Sequence, residues 1–406
     1  MRCIFLIYLF IVYLLPTVAQ YDWHTYPNSG TLPDAIRSIK IISNDQIWVG
    51  TLDNGLHLFN GQSYKVYNTK NSLIPGNRVY DIICDSFGGK WIGTNKGLAL
   101  FEDETWMTYT SENSSLPGTT VISLVREEQG KIWIGTNEGV VDGIFGTIYN
   151  SANCGLPGNQ ILDMLIEPDG TIWFCTDKGI ATYNGMIWKT YRTGSGIIPE
   201  GAASSIQRDH HGNIWVAITQ GIGGHLIMFD GAEWNLISTD GDIFQGAAIT
   251  DIITTINGEV WFGTHHNGIF KFDGSRWEHY RTENSDIPIN QVISLSVDPY
   301  DNIWMGSRVG LTVVTKAMTL TAFSDMSSTM LLIYPNPFEK STNIEFPNPE
   351  HEIFRFTITD MAGKVMKILE NITESRIEIN RGNLMKGHYI IEIDGPRTYR
   401  GKMTVY

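Results

Sequence analysis

The sequence predicts an all-β protein, a seven-bladed β-propeller followed by a small Ig-like β-sandwich. Three observations support this fold class: a tryptophan segment recurs seven times, each repeat contains four short strand signals, and the repeats give way to an alternating apolar C-terminal region. Charged residues make up only 18% of the chain and there are 41 glycines. This balance suits many short strands joined by tight turns.

The repeats are centred on Trp48, Trp91, Trp133, Trp173, Trp215, Trp261 and Trp304, at intervals of 43, 42, 40, 42, 46 and 43 residues. The second unit illustrates the four runs: residues 77–82, the segment around Trp91, residues 97–101 after a glycine, and an outer run with the aromatic pair Trp106 and Tyr109. Four β-rich runs in a unit of about 40 residues make one propeller blade.

The outer aromatic run also occurs once before the first complete unit, at Trp23 and Tyr26, and is missing after the last unit. Residues 22–26 are therefore predicted to supply the outer strand of the seventh blade. The other three strands of that blade come from about residues 290–315. Sharing one blade between the chain ends closes the ring and removes an open sheet edge.

The chain is predicted to comprise a signal peptide (1–19), the propeller (20–315), a Ser/Thr-rich linker (316–330) and a C-terminal domain (331–406). The apolar run at residues 4–15 is short for a membrane span, and Ala19 is a small residue where a signal peptidase requires one. An uncleaved membrane anchor is the alternative. No transmembrane segment is expected after cleavage.

The net charge of −14 belongs to the predicted propeller, because residues 20–315 contain 17 basic and 32 acidic residues while residues 331–406 contain ten of each. A surface with this charge disfavours nucleic acid and anionic membranes as partners. Three cysteines follow the predicted cleavage site, namely Cys84, Cys154 and Cys175. Their odd number and irregular spacing indicate no disulfide framework and no metal site.

Residues 47–51 with Gly55 and Leu56, together with the segment 113–117 between blades, resemble the two-component-regulator propeller repeat. That family occurs in extracytoplasmic sensor regions of bacterial hybrid histidine kinases, where paired propellers are associated with carbohydrate sensing. The chain contains one propeller and no kinase or DNA-binding module. The resemblance therefore implies a fold and an extracytoplasmic location, and signalling is not carried over.

The C-terminal region contains Tyr334-Pro335-Asn336-Pro337-Phe338, the turn at residues 361–364, the run 384–393 and the ending Lys402-Met403-Thr404-Val405-Tyr406. This order of motifs resembles the type A C-terminal sorting domain of the type IX secretion system in Bacteroidetes-type bacteria. The resemblance implies that the type IX machinery handles the protein through residues 331–406. The protein would pass the periplasm and be secreted or displayed on the cell surface. A carbohydrate-binding or adhesion sandwich is the alternative.

Ligand-binding residues are predicted on one face of the propeller, which we call the loop face. There the loops between second and third strands and between outer and inner strands emerge near the central channel. The first set carries Asn54, Asn95, Asn137, Asp177, His265, His266, Asn267 and Arg308, and the second carries Asn71, Asn113, Asn153 and Asn284. Asparagine amides suit sugar hydroxyls, and the alternative is that they satisfy the turn backbone.

The innermost strands carry a polar residue at one equivalent position in every blade: Ser38, Asp81, Ser123, Asp163, Ser205, Asp251 and Ser294. Side chains in this register are predicted to line the channel. Two interpretations follow. The seven groups bind a cation, or they hydrogen-bond the backbones of neighbouring blades, because buried polar groups need partners.

The leading functional hypothesis is a non-enzymatic binding module, secreted or surface-displayed, that recognises a glycan, a peptide or another extracellular ligand without a cofactor. An alternative is a metal-dependent enzyme resembling the streptogramin lyases, which are seven-bladed and use His and Glu with a metal. His225, which follows a Gly-rich loop in the fifth blade, His265 and Glu138 are the candidate catalytic residues, with a divalent cation. A structural or adhesion role is the third hypothesis.

Overall fold

The computed structural model describes residues 21–27, 35–43, 46–61, 63–221, 223–237, 244, 246–299, 301–316, 331–334, 336, 338, 340–346, 348, 351–360, 364–382, 384–396 and 398–405. The chain separates into two compact units, residues 1–316 and 317–406. The predicted signal peptide and, apart from Lys316, the predicted linker lie outside the described residues. All described elements are β-strands, which confirms the all-β class. Within these ranges no helix is long and apolar enough to cross a membrane.

The first unit consists, in its described part, of seven four-stranded antiparallel sheets, each one blade. Blade 1 contains β2 (Ile36–Ser43), β3 (Gln46–Thr51), β4 (Leu56–Phe59) and β5 (Tyr64–Tyr67). Blade 2 contains β6 (Val79–Cys84), β7 (Lys90–Thr94), β8 (Gly97–Glu102) and β9 (Thr105–Tyr109). Blade 3 contains β10 (Val121–Arg126), β11 (Ile132–Thr136), β12 (Gly139–Val141) and β13 (Ile148–Tyr149).

Blade 4 contains β14 (Ile161–Ile166), β15 (Ile172–Thr176), β16 (Gly179–Tyr183) and β17 (Trp188–Arg192). Blade 5 contains β18 (Ala202–Arg208), β19 (Ile214–Gln220), β20 (Gly223–Phe229) and β21 (Trp234–Leu236). Blade 6 contains β22 (Ile249–Thr254), β23 (Val260–Thr264), β24 (Ile269–Phe272) and β25 (Trp277–Tyr280). Blade 7 contains β26 (Ser294–Val297), β27 (Ile303–Gly306), β28 (Gly310–Lys316) and the N-terminal strand β1 (Tyr21–Pro27).

The ring is closed in two ways. Strand β1 pairs antiparallel with β28, with Trp23 opposite Val314 and Tyr21 opposite Lys316. The first strands of the blades also contact one another in a complete cycle, from β2 through β6, β10, β14, β18, β22 and β26 back to β2. The two chain ends of the propeller therefore share blade 7, in the arrangement that the outer aromatic runs predict.

Aromatic residues fill the interfaces between blades. In one such cluster Trp173 of blade 4 stacks on Tyr191 of its own blade, with ring centroids 6.1 Å apart, and meets Trp234 of blade 5 edge-on at 6.0 Å. Equivalent clusters occur between the other blades, and each buries a second-strand tryptophan. Burial of such large rings between sheets accounts for the recurrence of tryptophan at the blade period.

A carboxylate accepts the indole N–H of the second-strand tryptophan in six blades. The acceptors are Asp85, Glu127, Glu167, Asp209, Glu259 and Asp298, at distances of 2.6–3.4 Å. In five of these blades the carboxylate lies six residues before the tryptophan, in the turn between the first and second strands. In blade 1 that position is Ile42, and the buried Trp48 N–H has no hydrogen-bond partner among the residues that the structure describes.

The second unit contains two antiparallel sheets. One comprises β29 (Leu332–Tyr334), β30 (Ser341–Glu345) and β33 (Arg376–Asn380), and the other β32 (Val365–Ile372), β31 (Phe354–Asp360), β34 (Gly387–Asp394) and β35 (Thr398–Val405). Ile344 and Ile379 of the first sheet pack in one core with Phe356, Ile391 and Met403 of the second. The unit is thus a small sandwich, and its Ig-like character stays a prediction.

Candidate functional site at the mouth of the central channel

A repeated irregularity in the first strands shapes the central channel. In blades 1 to 6 the pairing of the first strand with the second skips one residue, for example between Ile36 and Ser38. Such a bulge re-aims the side chains beside it, which would otherwise point to opposite faces of the strand. Two consecutive side chains of each of these blades therefore line the channel.

These pairs form what we call the channel mouth, which encloses a cavity of about 260 Å³. Its walls are Arg37, Ser38, Tyr80, Asp81, Ile122, Ser123, Leu162, Asp163, Ser204, Ser205, Thr250, Asp251, Ile293, Ser294 and Leu295. All seven polar residues predicted to line the channel are among them. Most of the wall is polar, which suits a hydrophilic ligand rather than an apolar one.

The three aspartates of the channel mouth connect blades in pairs. One carboxylate oxygen of each accepts the next backbone N–H of its own strand, and the other accepts a backbone N–H of the following blade. Asp81 thus bonds Leu124 at 2.7 Å, Asp163 bonds Ile206 at 2.9 Å, and Asp251 bonds Leu295 at 2.7 Å. Blades 2 and 3, 4 and 5, and 6 and 7 are linked in this way.

Burial dominates the electrostatics of these aspartates. Desolvation raises the pKa of Asp81 to about 6 and the pKa values of Asp163 and Asp251 to about 7. Hydrogen bonds from backbone N–H groups lower these pKa values but do not offset the desolvation. Mutual repulsion between Asp163 and Asp251 adds to the rise. The channel therefore holds carboxyl groups that titrate near neutral pH.

The four serines at the equivalent polar position of the first strands differ in their bonding. The Ser294 hydroxyl donates to the Ile36 carbonyl at 3.2 Å, and the Ser123 hydroxyl donates to Asp163 at 3.4 Å. The hydroxyls of Ser38 and Ser205 are buried and have no hydrogen-bond partner among the described residues. The hydrogen-bonding interpretation therefore accounts for the aspartates and leaves these two serines unexplained.

Arg37 is the one cationic side chain in the wall of the channel mouth, and it is not among the residues predicted from the sequence. Its guanidinium lies over the Tyr80 ring, 4.7 Å from the ring centroid. It interacts electrostatically with Asp251, yet it makes no hydrogen bond or ion pair with any described residue. Its position in the sequence is the signal that could have indicated it. Arg37 immediately precedes Ser38, the polar position of its strand, and the bulge turns both side chains toward the channel.

Several of the residues predicted to bind ligand on the loop face form hydrogen bonds with the backbone of the loops instead. The side-chain oxygens of Asn95, Asn137 and Asp177 each accept the backbone N–H of the residue 17 positions earlier, at 3.0–3.3 Å. Asn267 is buried and donates to the Phe244 carbonyl. The remaining four, Asn54, His265, His266 and Arg308, are exposed. The accessible part of the predicted set is therefore small.

The asparagines that precede Leu-Pro or Ile-Pro have a structural role. Each accepts the backbone N–H three residues earlier with its side-chain oxygen and donates its amide to the carbonyl five residues earlier, as Asn71 does with Asn68 and Val66. Asn113, Asn153 and Asn284 repeat both bonds. These amides are thus committed to the backbone of the turn.

The candidate lyase residues are not assembled into a metal site. Across the described ranges, no three His, Cys, Asp or Glu side chains converge in a group able to hold a metal. His225 does not follow an enlarged loop, because β19 extends to Gln220 and β20 begins at Gly223, so His225 pairs with Ile218 inside a regular hairpin. Among the described residues, His225, His265 and Glu138 are therefore not members of such a group.

Family models match segments of both units. Residues 115–138 and 155–178 match the two component regulator propeller, and residues 332–405 match the secretion system C-terminal sorting domain. Among curated proteins, none matches the chain.

Solved structures agree in fold. The extracellular domain of BT3049 from B. thetaiotaomicron, described as a hybrid two component system, is 18% identical over 94% of this chain and 57% of its own, with a TM-score of 0.61. The extracellular domain of BT4673 from the same organism is 17% identical over 94% of this chain and 59% of its own length, with a TM-score of 0.59. Virginiamycin B lyase from Staphylococcus aureus is 15% identical over 73% of this chain and 99% of its own, with a TM-score of 0.59. The chain thus spans less than two thirds of the first two domains.

The ring of sheets around a polar channel defines the chain as a β-propeller protein. Two segments of this propeller match the two component regulator propeller model, and the second unit matches the secretion system C-terminal sorting domain. Such a sorting domain is handled by the type IX secretion machinery and indicates a secreted or cell-surface protein of a Bacteroidetes-type bacterium. Two sequence predictions, the family resemblance and the localisation, are thereby confirmed.

Proposed function

We propose that the protein is an exported binding module that takes a small extracellular ligand at the channel mouth. The observation that supports this most strongly is the bulge in the first strands, which aims two side chains from each of six blades at one polar cavity. Folding alone does not require a cavity there, because inward side chains of a narrow ring can fill the axis. The cavity supports a ligand-binding role, and catalysis is not needed to explain it.

Isothermal titration calorimetry on the secreted chain, with a panel of monosaccharides, amino acids and short peptides, tests this function. At least one member is expected to bind saturably. Leu162→Trp, which places a large ring in the channel mouth, should weaken binding at least tenfold. Met107→Trp is the matched control, because Met107 is 43% exposed on the outer strand β9 and far from the cavity lining.

Three outcomes would contradict the proposal. Binding that Leu162→Trp leaves unchanged would locate the site elsewhere on the propeller. Conversion of a ligand into products would favour an enzyme, and the absence of any saturable binding would favour a structural or adhesion role.

We further propose that export begins with cleavage before Gln20 and depends on the end of β35. Replacing residues 402–406 should leave the protein in the periplasm, measured by fractionation and immunoblotting. Met385→Ser, at an exposed site of the same unit, should not change export. N-terminal sequencing of the exported chain tests the cleavage site. Normal export of the 402–406 variant would contradict the dependence on this segment.

A further inference from the structure

The outer hairpin of the third blade is shorter than those of its neighbours. Strands β12 and β13 contain three and two residues, whereas β8 and β9 of blade 2 contain six and five and β16 and β17 of blade 4 contain five each. In the other six blades the second-strand tryptophan lies opposite a residue of the third strand. In blade 3 this pairing stops at Ile134, so Trp133 has no partner on the described strand β12.

A cavity of about 400 Å³ lies beside Trp133, between blades 3 and 4. The turns that join the first to the second strands of both blades line it, which locates it on the face opposite the loop face. Trp133, Tyr149 and Tyr183 form its aromatic wall, with ring centroids 5.6–6.1 Å apart. The cavity is separate from the channel mouth, with which it shares no lining residue.

The wall of this cavity is strongly acidic. It contains one cationic side chain, Lys131, and five carboxylates, those of Glu127, Glu128, Asp142, Glu167 and Asp169. The Lys131 ammonium pairs with Asp142 at 2.8 Å, and Glu167 lies 3.6 Å from the guanidinium of Arg208. The other three carboxylates form no salt bridge with any described residue. The cavity therefore keeps negative charge that the chain itself does not neutralise.

The position of Lys131 shows how a cation is held at this place. Its ammonium group lies 4.8 Å from the centroid of the Trp133 ring while it pairs with Asp142. A cation that contacts a ring face and a carboxylate together is stabilised more when it is partly removed from water. The cavity volume is the space that remains with Lys131 in place. The half-buried rings of Tyr149 and Tyr183 and the unpaired carboxylates offer a second cation the same two kinds of contact.

Exposed apolar side chains belong to the two turns that border the cavity. Phe145, in the turn that follows Asp142, is 75% exposed. Met186 and Ile187 follow the lining residue Gly185 and are 84% and 67% exposed. Apolar groups that surround a polar depression in this way mark a surface for another polypeptide. A free amine in the cavity would leave these side chains in water.

From these observations we propose that the cavity between blades 3 and 4 docks a basic polypeptide segment. A lysine or arginine side chain of the partner enters beside Tyr149 and Tyr183, and an apolar neighbour of that residue covers Met186 and Ile187. The charges are complementary, because residues 20–315 contain 17 basic and 32 acidic residues. This docking surface lies apart from the channel mouth and does not depend on the proposed function.

The test is fluorescence anisotropy of the full secreted chain with three labelled, terminally blocked pentapeptides, GLRLG, GLKLG and GLQLG. The arginine or the lysine peptide should bind saturably and at least tenfold more tightly than the glutamine peptide. Raising the ionic strength to about 0.5 M should weaken this binding, because salt screens the carboxylates. Spermidine, as an unlabelled competitor, should bind at least tenfold more weakly than the basic peptides, because it leaves the apolar side chains uncovered.

Glu128→Lys locates the binding in this cavity. Glu128 is exposed and forms no salt bridge with a described residue, so the variant should keep its midpoint of thermal unfolding and bind the basic peptides at least fivefold more weakly. Glu112→Lys is the matched control, because Glu112 is exposed in the loop between β9 and β10 and changes the net charge equally without lining the cavity. Leu162→Trp, in the channel mouth, should leave peptide binding unchanged.

Four results would overturn the inference. They are no binding of either basic peptide, equal binding of the basic and glutamine peptides, equal weakening by Glu128→Lys and Glu112→Lys, and spermidine binding as tight as that of the peptides. The last would replace the polypeptide by a small amine. Each of these results leaves the proposed function of the channel mouth intact, because that function is tested with other ligands and with Leu162→Trp.

Discussion

At the scale of single residues, the second-strand tryptophans show how a buried polar group is satisfied in this repeat. Six indole N–H groups reach a carboxylate, and in five blades that carboxylate is six residues upstream. The same six-residue spacing is present in the sequence, where the carboxylate stands in the turn before the tryptophan strand. Only blade 1 has an apolar residue, Ile42, at that position.

Ile42→Asp is therefore expected to stabilise the propeller by about 0.5–1.5 kcal/mol, because it offers the Trp48 N–H an acceptor. Urea unfolding followed by tryptophan fluorescence measures this, since all twelve tryptophans lie in the propeller. Ile42→Ala is the control, because Ile42 is 39% exposed and the alanine variant removes this exposed apolar side chain without adding a carboxylate. An equal gain in both variants would show that the carboxylate is irrelevant.

At the scale of elements, the closing strand β1 is held by a buried charge cluster as well as by its pairing with β28. The Tyr21 ring packs edge-on against Trp261 and Tyr280, at 5.3 and 5.5 Å. The Lys271 ammonium donates to the Tyr21 hydroxyl at 3.2 Å and pairs with Glu278 at 2.8 Å. The first residue of β1 is thus anchored in blade 6 rather than in the blade that it completes.

Lys271→Ala is expected to lower the free energy of unfolding by about 3 kcal/mol, because the buried Glu278 carboxylate loses its nearest cation and keeps only the Tyr280 hydroxyl and the more distant Arg276. Lys65→Ala is the matched control. Lys65 and Glu104 are 57% and 79% exposed, so that pair contributes about 0–1 kcal/mol. Thermal and urea unfolding of the two variants measure the difference. Equal effects would mean that the cluster does not anchor β1.

The elements also show what the sequence could and could not predict. Tryptophan spacing predicts the blades, and the outer pair Trp23 and Tyr26 predicts the shared blade, because both features recur at fixed intervals. The bulge before Ser38 and its equivalents could not be predicted, since a register shift depends on two strands and carries no residue signature here. Arg37 was missed for that reason. The amides of the loop asparagines Asn71, Asn113, Asn153 and Asn284 bond backbone groups that only the folded turn brings near, so their occupation could not be predicted either.

At the scale of the whole molecule, the three channel aspartates predict a pH dependence of stability. Their pKa values are raised by folding, so the folded state binds protons more tightly than the unfolded chain. The three aspartates therefore make their full contribution to the free energy of unfolding below about pH 4. This contribution is lost as the pH rises through 6 to 7. His57 acts in the opposite sense. Burial lowers its pKa to about 4, so its contribution is complete above about pH 6.5 and is lost as pH falls.

Asp163→Asn isolates the aspartate contribution, because asparagine keeps an acceptor oxygen for the backbone and has no proton to lose. Between pH 5 and pH 8 the wild-type propeller should lose more stability than Asp163→Asn, measured by the midpoint of thermal unfolding at each pH. His57→Phe should change the profile only below about pH 6.5. Parallel profiles of wild type and Asp163→Asn across this range would contradict the raised pKa of Asp163.

The shared seventh blade has a mechanical consequence. Tyr21, where β1 begins, lies opposite Lys316, where β28 ends, so the two chain ends leave the ladder at the same point. Tension applied between Tyr21 and Lys316 would load the hydrogen bonds between β1 and β28 one after another. It would not load all of them at once in shear. A pull applied through the two chain ends should therefore separate β1 from β28 at low force. Thermal unfolding must break all the hydrogen bonds between these two strands together.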